Sequence, residues 1–344
     1  ISDYSQNNLM KNILVTGGAG FIGSNFIKYS LNYFDFNIVN FDKLTYAGNL
    51  ENLVDVEFND KYKFVKGDIC EKDEVVKAVR ENEIDTIINF AAESHVDRSI
   101  LGAKEFINTN VGGTHVLLEV LKENKLEKYL QVSTDEVYGS LPEDNKEIKF
   151  TEKTPITTNS PYSASKASAD LLCNAFYHTF DLPVLITRCS NNYGPYQFPE
   201  KLIPLMIAKA MEGEMLPVYG DGKNIRDWLY VDDHCSAIMA VLNKGKAGEV
   251  YNIGGNNEWY NIDIVKLILN KLGISEDNIK YVKDRPGHDR RYTIDSTRIM
   301  TELGWEPKYN FEEGIELTIN WYKDNVDWWK KVMSGEYLKY YDEN

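Results

Sequence analysis

The chain has 344 residues, a length at which two domains, or one large domain with a smaller lobe, are expected. Hydrophobic residues make up 43% of it and charged residues 26%, which excludes disordered, collagen-like and small disulfide-stapled proteins. Asp and Glu outnumber Lys and Arg by 53 to 38, and the net charge of −15 repels nucleic acid and anionic lipid, so neither partner is expected.

The start of the chain and its cysteines indicate where in the cell the protein is expected. No apolar stretch is long enough for a membrane span, and the polar residues 1–9 lack the apolar region of a signal peptide. Met10 precedes the first apolar run, so we interpret residues 1–9 as an addition to the natural chain. The four cysteines form no CxxC pair, and no histidines have metal-ligand spacing. These features predict a soluble, cytoplasmic protein without a metal site.

The first half of the chain alternates β-rich runs with helical patterns, as in a parallel sheet covered on both faces. The predicted strands are Asn12–Thr16, Asn37–Phe41, Tyr62–Val65, Thr86–Asn89, Tyr129–Ser133 and Val184–Thr187. The predicted helices are Ile22–Leu31, Asp73–Arg80, Gly112–Lys122 and Tyr162–Phe180. This order predicts an α/β fold with a doubly wound parallel sheet of the Rossmann type.

After about residue 190 the pattern changes to shorter pieces. The predicted helices there are Leu202–Met211, Asp232–Leu242, Ile262–Leu272 and Phe311–Lys323. We predict a first domain over 10–190, joined by later elements at about 225–255, and a smaller α/β substrate-binding lobe over 191–330. The aromatic tail from Trp328 to Tyr341 is interpreted as a helix docked on its own domain.

A glycine-rich segment follows the first predicted strand. Gly18, Gly20 and Gly23 match GxGxxG between an apolar strand and an amphipathic helix, which is the context of a dinucleotide site. Asp42 ends the second strand, where a carboxylate accepts hydrogen bonds from an adenosine ribose and repels a 2′-phosphate. The pattern therefore favours NAD as the cofactor, although the neighbouring Lys43 leaves NADP open.

A tyrosine and a lysine share one face of a predicted helix. Tyr162 and Lys166 are four residues apart, and an ammonium near a phenol lowers the pKa of the phenol, which makes a general base for an alcohol. The same spacing begins at Tyr62 and at Tyr219, but these lie in a predicted strand and a Gly-rich turn. The helical pair is therefore the candidate.

Two adjacent carboxyl groups follow the fifth predicted strand, in the segment Thr134-Asp135-Glu136. If burial raises the pKa of one of them, that group can remain protonated as an acid while its neighbour acts as a base. The alternative is an acidic helix-start segment without a chemical role.

These motifs resemble the extended short-chain dehydrogenase/reductase family over about Met10 to Trp328. The matching segments are GGAGFIG (17–23), FDKLTYAGNL (41–50), AAESHVDRS (91–99), STDEVYG (133–139), YSASK (162–166), CSNNYGPYQFPEKLIP (189–204), IRDWLYVDDH (225–234), YNIGG (251–255) and DRPGHDRR (284–291).

The resemblance is strongest to members that dehydrate dTDP-glucose, and it implies a redox-neutral lyase reaction with NAD. Hydride leaves C4 of the sugar, water is eliminated across C5 and C6, and hydride returns to C6. By this likeness Tyr162, assisted by Lys166 and Thr134, takes the C4 hydroxyl proton. Glu136 removes the C5 proton, and Asp135 protonates the departing C6 hydroxyl. A homodimer and a role in deoxyhexose biosynthesis, such as that of dTDP-rhamnose, are also implied.

The resemblance carries over further binding positions, motif by motif. For the cofactor these are Gly17, Gly20, Phe21, Ile22, Gly23, Asp42, Lys43, Leu44, Thr45, Asp68, Ile69, Ala91, Ala92, Thr109, Tyr162, Lys166 and Asn192. For the nucleotide sugar they are Ser94, His95, Thr134, Asn191, Glu200, Lys201, Leu202, Pro217, Tyr219, Arg226, Asn261, Arg285 and His288. Because an acidic protein needs a local cationic clamp for a diphosphate, Arg226, Arg285, Arg290 and Arg291 are expected to supply donors.

Three alternatives remain open from the sequence. A nucleotide-sugar 4-epimerase or decarboxylase of the same fold needs the tyrosine, the lysine and NAD, but the paired carboxyl groups favour dehydration. A non-enzymatic NAD-sensing protein would keep the glycines without the catalytic set. The base of the nucleotide is also open, because thymine and uracil differ by one methyl contact.

Overall fold

The structure, a computed structural model, describes residues 10–284 and 288–335. Its strands are β1 (Asn12–Thr16), β2 (Asn37–Asp42), β3 (Tyr62–Lys66), β4 (Thr86–Asn89), β5 (Lys128–Thr134), β6 (Val184–Cys189), β7 (Asn191–Tyr193), β8 (Leu216–Tyr219), β9 (Ile225–Tyr230), β10 (Val250–Ile253), β11 (Glu258–Tyr260) and β12 (Ile279–Val282). Its α-helices are α1 (Phe21–Tyr33), α2 (Lys72–Glu81), α3 (Val96–Leu101), α4 (Lys104–Phe106), α5 (Thr114–Asn124), α6 (Pro161–Phe180), α7 (Leu202–Met211), α8 (Val231–Lys244), α9 (Asn261–Leu272), α10 (Thr297–Leu303), α11 (Phe311–Asp324) and α12 (Val326–Ser334).

Seven parallel strands form the large sheet, in the order β10-β6-β5-β4-β1-β2-β3. The central strands are continuous apolar runs because helices cover both faces, and in β1 the side chains of Ile13, Leu14 and Val15 are fully buried. Helices α1 and α8 cover one face, and α2, α5 and α6 cover the other. The predicted doubly wound Rossmann sheet and all six of its predicted strands are confirmed.

The eight predicted helices are also found, and one of them begins differently. The helix expected from Gly112 starts as α5 at Thr114, and Ile107–Gly113 forms a π-helical turn before it. Within this turn the buried Asn110 bonds the backbone N–H and carbonyl of Glu93 and the hydroxyl of Ser165. The wider turn therefore ties the loop after β4 to α6, which periodicity alone does not predict.

The smaller lobe contains a three-stranded sheet, β11-β9-β7, and a two-stranded sheet, β12-β8. Its core is aromatic and includes Tyr193, Trp228, Phe311 and Trp329. Trp329 is buried on α12 and its indole Nε1 donates to the Tyr322 carbonyl, so the interpretation of the tail as a docked helix is confirmed up to residue 335. The later tyrosines of the tail lie outside the described residues. In the described ranges, no helix has the length and apolar character needed to cross a membrane.

A buried ion pair fixes α6 to the large sheet. The Arg188 guanidinium on β6 lies 2.8 Å from the Asp170 carboxylate on α6, and both side chains are almost fully buried. Arg188 also donates to the Tyr138 hydroxyl at 3.0 Å. Because α6 carries Tyr162 and Lys166, this pair helps to hold the candidate catalytic residues in place.

We predict that Asp170→Ala destabilises the fold by about 3–5 kcal/mol, because it leaves the Arg188 charge buried without a partner. Urea unfolding followed by circular dichroism measures this loss. Glu316→Ala is the control, since it removes a carboxylate from the exposed Lys271–Glu316 pair and is expected to change stability little. Equal stability of the two variants would contradict a structural role for the buried pair.

Candidate active site

A cavity of about 620 Å³ lies at the carboxyl ends of the parallel strands. One side is lined by the loops that follow β1 to β6 and by the start of α6, and the other side by α7, β8, α9 and α12 of the smaller lobe. Open α/β sheets bind ligands at this edge.

The glycine segment forms a tight turn at one wall of the cavity. Gly17 has φ +67°, and a Cβ there would come within 2.6 Å of the Ala91 nitrogen, while a Cβ at Gly23 would collide with the Gly17 carbonyl oxygen. A Cβ at Gly20 would touch only that oxygen, at 3.3 Å. Gly17 and Gly23 are therefore required by backbone packing, whereas Gly20 leaves space on the side of the cavity.

The N-terminus of α1 faces the cavity without a side-chain cap. Its N-cap residue is Gly20, and Phe21, Ile22 and Gly23 of its first turn line the cavity. The first N–H groups of a helix have no partner within the helix and attract anions. This wall is therefore suited to a phosphate or pyrophosphate group.

Asp42 ends β2 and holds the glycine segment. Its two carboxylate oxygens accept the backbone N–H groups of Ala19, at 2.9 Å, and of Leu44, at 2.8 Å. Asp42 also lines the cavity, and each oxygen has a second lone pair for a ligand hydroxyl. Burial raises the pKa of Asp42, and the hydrogen bonds from Leu44 and Ala19 oppose that shift.

The structure brings nearly all predicted cofactor positions to this cavity. Those that line it are Gly17, Gly20, Phe21, Ile22, Gly23, Asp42, Lys43, Thr45, Asp68, Ile69, Ala91, Ala92, Thr109, Tyr162, Lys166 and Asn192. Leu44 is the exception, and its backbone has φ +60° and bonds Asp42.

The paired carboxyl groups lie in a 3₁₀ turn, Asp135–Tyr138, that begins where β5 ends. The Thr134 hydroxyl accepts the N–H of Glu136 at 3.2 Å and donates to Oδ1 of Asp135 at 3.3 Å. Glu136 lines the cavity, whereas Asp135 is 2% exposed and lies behind the lining. Among the described residues, Oδ2 of Asp135 has no hydrogen-bond partner.

Burial separates the two carboxyl groups chemically. It raises the pKa of Asp135 well above the usual range, and the charges of Glu136 and Asp227 raise that pKa further. The Arg226 charge and the Thr134 hydroxyl act in the opposite direction. Burial therefore favours the protonated form of Asp135, next to a more exposed carboxyl group.

Tyr162 and Lys166 lie in the first turns of α6 and are both buried. The Lys166 ammonium donates to the Val132 carbonyl at 2.8 Å. Burial raises the pKa of Tyr162 well above its usual value and the charge of Glu136 adds to the effect, so the net shift is opposite to the lowering expected from Lys166. The Thr134 hydroxyl opposes the shift.

The predicted sugar-nucleotide positions meet at the same cavity. Those that line it are Ser94, His95, Thr134, Asn191, Glu200, Lys201, Leu202, Pro217, Tyr219, Arg226, Asn261 and His288. Arg285 lies outside the described residues.

The expected arginine clamp is only partly present. Arg226 lines the cavity, but Arg290 is not part of its lining and binds Glu143 and Asp221. Arg291 is fully buried, where it binds Glu258 and three backbone carbonyls of residues 145–148. The structure places neither Arg290 nor Arg291 at the cavity, and each is already paired with a carboxylate of the protein, Arg290 at the surface and Arg291 in the interior.

The sequence analysis missed several residues that line the cavity. They are Asn49, Asn52, Glu93, Cys189, Tyr196, Gln197, Phe198, Trp228, Trp328 and Val332. Some lie within recognised motifs, but Asn52 and Trp328 follow no pattern that marks a site. In residues 10–284 and 288–335, no three His, Cys, Asp or Glu side chains are placed to hold a metal ion.

The chain is similar to known proteins along almost its whole length. Residues 14–318 match the family model described as GDP-mannose 4,6 dehydratase. A dTDP-glucose 4,6-dehydratase from Xanthomonas campestris is 54% identical over 94% of this chain and 96% of the relative.

Two solved structures are similarly close. The dTDP-glucose 4,6-dehydratase from Bacillus anthracis, in complex with NAD, has a TM-score of 0.87 and 54% identity over 94% of this chain and 99% of its own. The enzyme of the same name from Streptomyces venezuelae, with NAD and TYD bound, has a TM-score of 0.90 and 45% identity over 93% and 99%. Such similarity over nearly full length shows that the chain belongs to the dTDP-glucose 4,6-dehydratase family of extended short-chain dehydrogenases/reductases.

Proposed function

We propose that this protein, with NAD as its cofactor, dehydrates dTDP-glucose to the 4-keto-6-deoxy sugar. The observation that carries the proposal is the placement of Asp135, Glu136 and Tyr162 beside one another. Asp135 and Glu136 share one 3₁₀ turn, and Glu136 and Tyr162 line the same cavity. Oxidation of an alcohol needs one base, but elimination of water needs an acid and a base at adjacent carbons. The pair therefore favours dehydration over epimerisation.

The described residues fit NAD. The uncapped start of α1 suits the pyrophosphate, Gly20 leaves room for it, and Asp42 can accept hydrogen bonds from a ribose. Lys43 is 2.6 Å from the Asp68 carboxylate, so its charge is already matched and a 2′-phosphate gains little from it. When bound, NAD supplies a hydride acceptor that is restored within the turnover.

Tyr162 is the proposed base for the C4 hydroxyl, with Lys166 and Thr134 assisting. Thr134 lowers the pKa of the phenol, while Lys166 is held by the Val132 carbonyl at the bottom of the site. Because burial keeps Tyr162 protonated in the protein alone, its base form requires positive charge that arrives when the cavity is filled.

Glu136 is the proposed base for the C5 proton, and Asp135 is the proposed acid for the C6 oxygen. The 4-keto group makes the C5 proton acidic enough for a carboxylate to remove it. Burial favours the protonated form of Asp135, which is the form that has a proton to give. Since Asp135 lies behind the lining, that proton reaches the sugar through a water or a small shift of the 3₁₀ turn.

The remaining assignments extend this proposal to the whole chain. Residues 10–190 with about 225–255 hold NAD, and 191–330 hold most of the nucleotide sugar, where Lys201 and Arg226 supply positive charge. Apolar side chains exposed on and near α6, including Leu171 and Phe180, support a homodimer through α5 and α6. All four cysteines are free thiols, which supports a cytoplasmic location.

An assay of products tests the function. We expect incubation with dTDP-glucose to give a 4-keto-6-deoxy sugar, detected by mass spectrometry as loss of water. UDP-glucose, which lacks the thymine methyl group and carries an additional ribose 2′-hydroxyl, should react about 10–200-fold less efficiently. CDP- and GDP-glucose complete the set. A C4 epimer with the same mass as the substrate would support an epimerase instead.

We predict that Gly20→Ala folds normally but binds NAD weakly. The new methyl group meets only the Gly17 carbonyl at 3.3 Å within the protein, yet it occupies space next to the uncapped helix start. Calorimetric titration with NAD and thermal unfolding measure the two effects separately. Unchanged affinity in the folded variant would place the pyrophosphate elsewhere.

We predict that Glu136→Gln and Asp135→Asn each lower product formation by about 10²–10⁴-fold, because each removes a general acid or base. Both variants should still oxidise C4, so the absorbance of the reduced cofactor accumulates in a single turnover. Tyr162→Phe is the control and should show neither absorbance nor product. Normal product formation by the double carboxyl variant would rule out this mechanism.

A further inference from the structure

Trp328 on α12 joins the smaller lobe to the glycine segment. It lines the cavity and packs against the aromatic rings of Tyr196 and Trp321, with centroids 5.7 and 5.1 Å away. Its indole Nε1 donates to Oδ1 of Asn52 at 2.9 Å. These two residues are 276 positions apart in the chain, so the contact closes one side of the cavity with the last described helix.

Asn52 passes this contact on to the glycine segment. The Asn52 side chain is 2% exposed, and its Nδ2 donates to the Ala19 carbonyl at 3.0 Å. An indole N–H can only donate and a carbonyl can only accept, so the two partners fix the orientation of the amide between them. If the amide were flipped, its Nδ2 would face the indole N–H and its Oδ1 would face the Ala19 carbonyl, and both hydrogen bonds would be lost.

The backbone around Ala19 is consequently held from two directions. Its carbonyl accepts from Asn52 and from the backbone N–H of Asn49 at 2.9 Å, and its own N–H donates to Asp42. Ala19 directly precedes Gly20, the N-cap residue of α1. Its position therefore determines where the first N–H groups of the helix point.

We propose that Trp328 is a positioning residue that, through Asn52 and Ala19, holds the glycine segment in its binding shape and slows the release of NAD. This inference rests on the proposed function, in which one NAD molecule serves both the oxidation at C4 and the reduction at C6. Loss of the cofactor between those steps would strand the oxidised sugar, so a slow release matters more here than in an enzyme that exchanges NAD every turnover.

The experiment measures the rate at which bound NAD leaves the purified protein, by displacement with a fluorescent NAD analogue. Trp328→Phe keeps an aromatic ring and loses the indole hydrogen bond, so we expect release to be about two- to tenfold faster. Asn52→Ala removes both bonds of the relay and should accelerate release at least as much. In the Asn52→Ala background, Trp328→Phe should add no further change, because its partner is absent.

Trp329→Phe is the matched control. It is the same substitution at the next position of α12, and it removes a hydrogen bond of 3.1 Å to Tyr322 without touching the cavity or Asn52. We expect it to lower thermal stability and leave NAD release unchanged. The stability of each variant is measured by thermal unfolding, and Asn52→Ala tests the relay from its other end if Trp328→Phe perturbs folding.

Three results would overturn the inference: an unchanged release rate in both Trp328→Phe and Asn52→Ala, equal acceleration by Trp329→Phe, or a full further effect of Trp328→Phe in the Asn52→Ala background. In each of these cases the parent protein still binds NAD, so the proposed function stands. A parent protein that binds no NAD would overturn the proposed function together with the inference.

Discussion

The two hydrogen bonds that the Asp42 carboxylate accepts, from the N–H groups of Ala19 and Leu44, determine the shape of the site. They join the loop after β1 to the loop after β2 and leave the start of α1 directed at the cavity. The carboxylate that accepts these bonds is buried, and its raised pKa reflects the free-energy cost of removing its charge from water. Two charge-assisted bonds offset that cost, so an acidic group can support a wall that is suited to an anion.

Removal from water also distinguishes the two carboxyl groups in the turn that follows β5. Asp135 and Glu136 are neighbours in one short turn, yet only Asp135 is withdrawn from the cavity, where burial raises its pKa. Glu136, which is half-buried, lines the cavity as the second carboxyl group. In the proposed mechanism this difference in burial separates the acid from the base, and burial also raises the pKa of Tyr162 well above its usual value.

Local patterns were sufficient to predict six of the seven strands of the large sheet, the glycine turn and the residues at the strand ends, because each depends on a short stretch of chain. They failed where the partner is distant. Arg290 and Arg291 look like phosphate ligands until the fold pairs them with Asp221 and Glu258. The indole of Trp328 donates to Asn52, which is 276 positions away in the sequence. The π-helical turn places the side chain of Asn110 where it bonds both α6 and the loop after β4. Such contacts have no periodicity to reveal them.

The position of β10 in the large sheet has a consequence for biosynthesis. Strand β6 is buried along its whole length, but β10, which pairs with its outer side, is translated only after β7, α7, β8, β9 and α8. Until then the nascent chain carries β6 with an unpaired row of backbone N–H and C=O groups, the type of edge that recruits strands from other chains. The nascent chain therefore exposes an aggregation-prone edge while β7 to α8 emerge, and a fragment ending near residue 190 would retain that edge permanently.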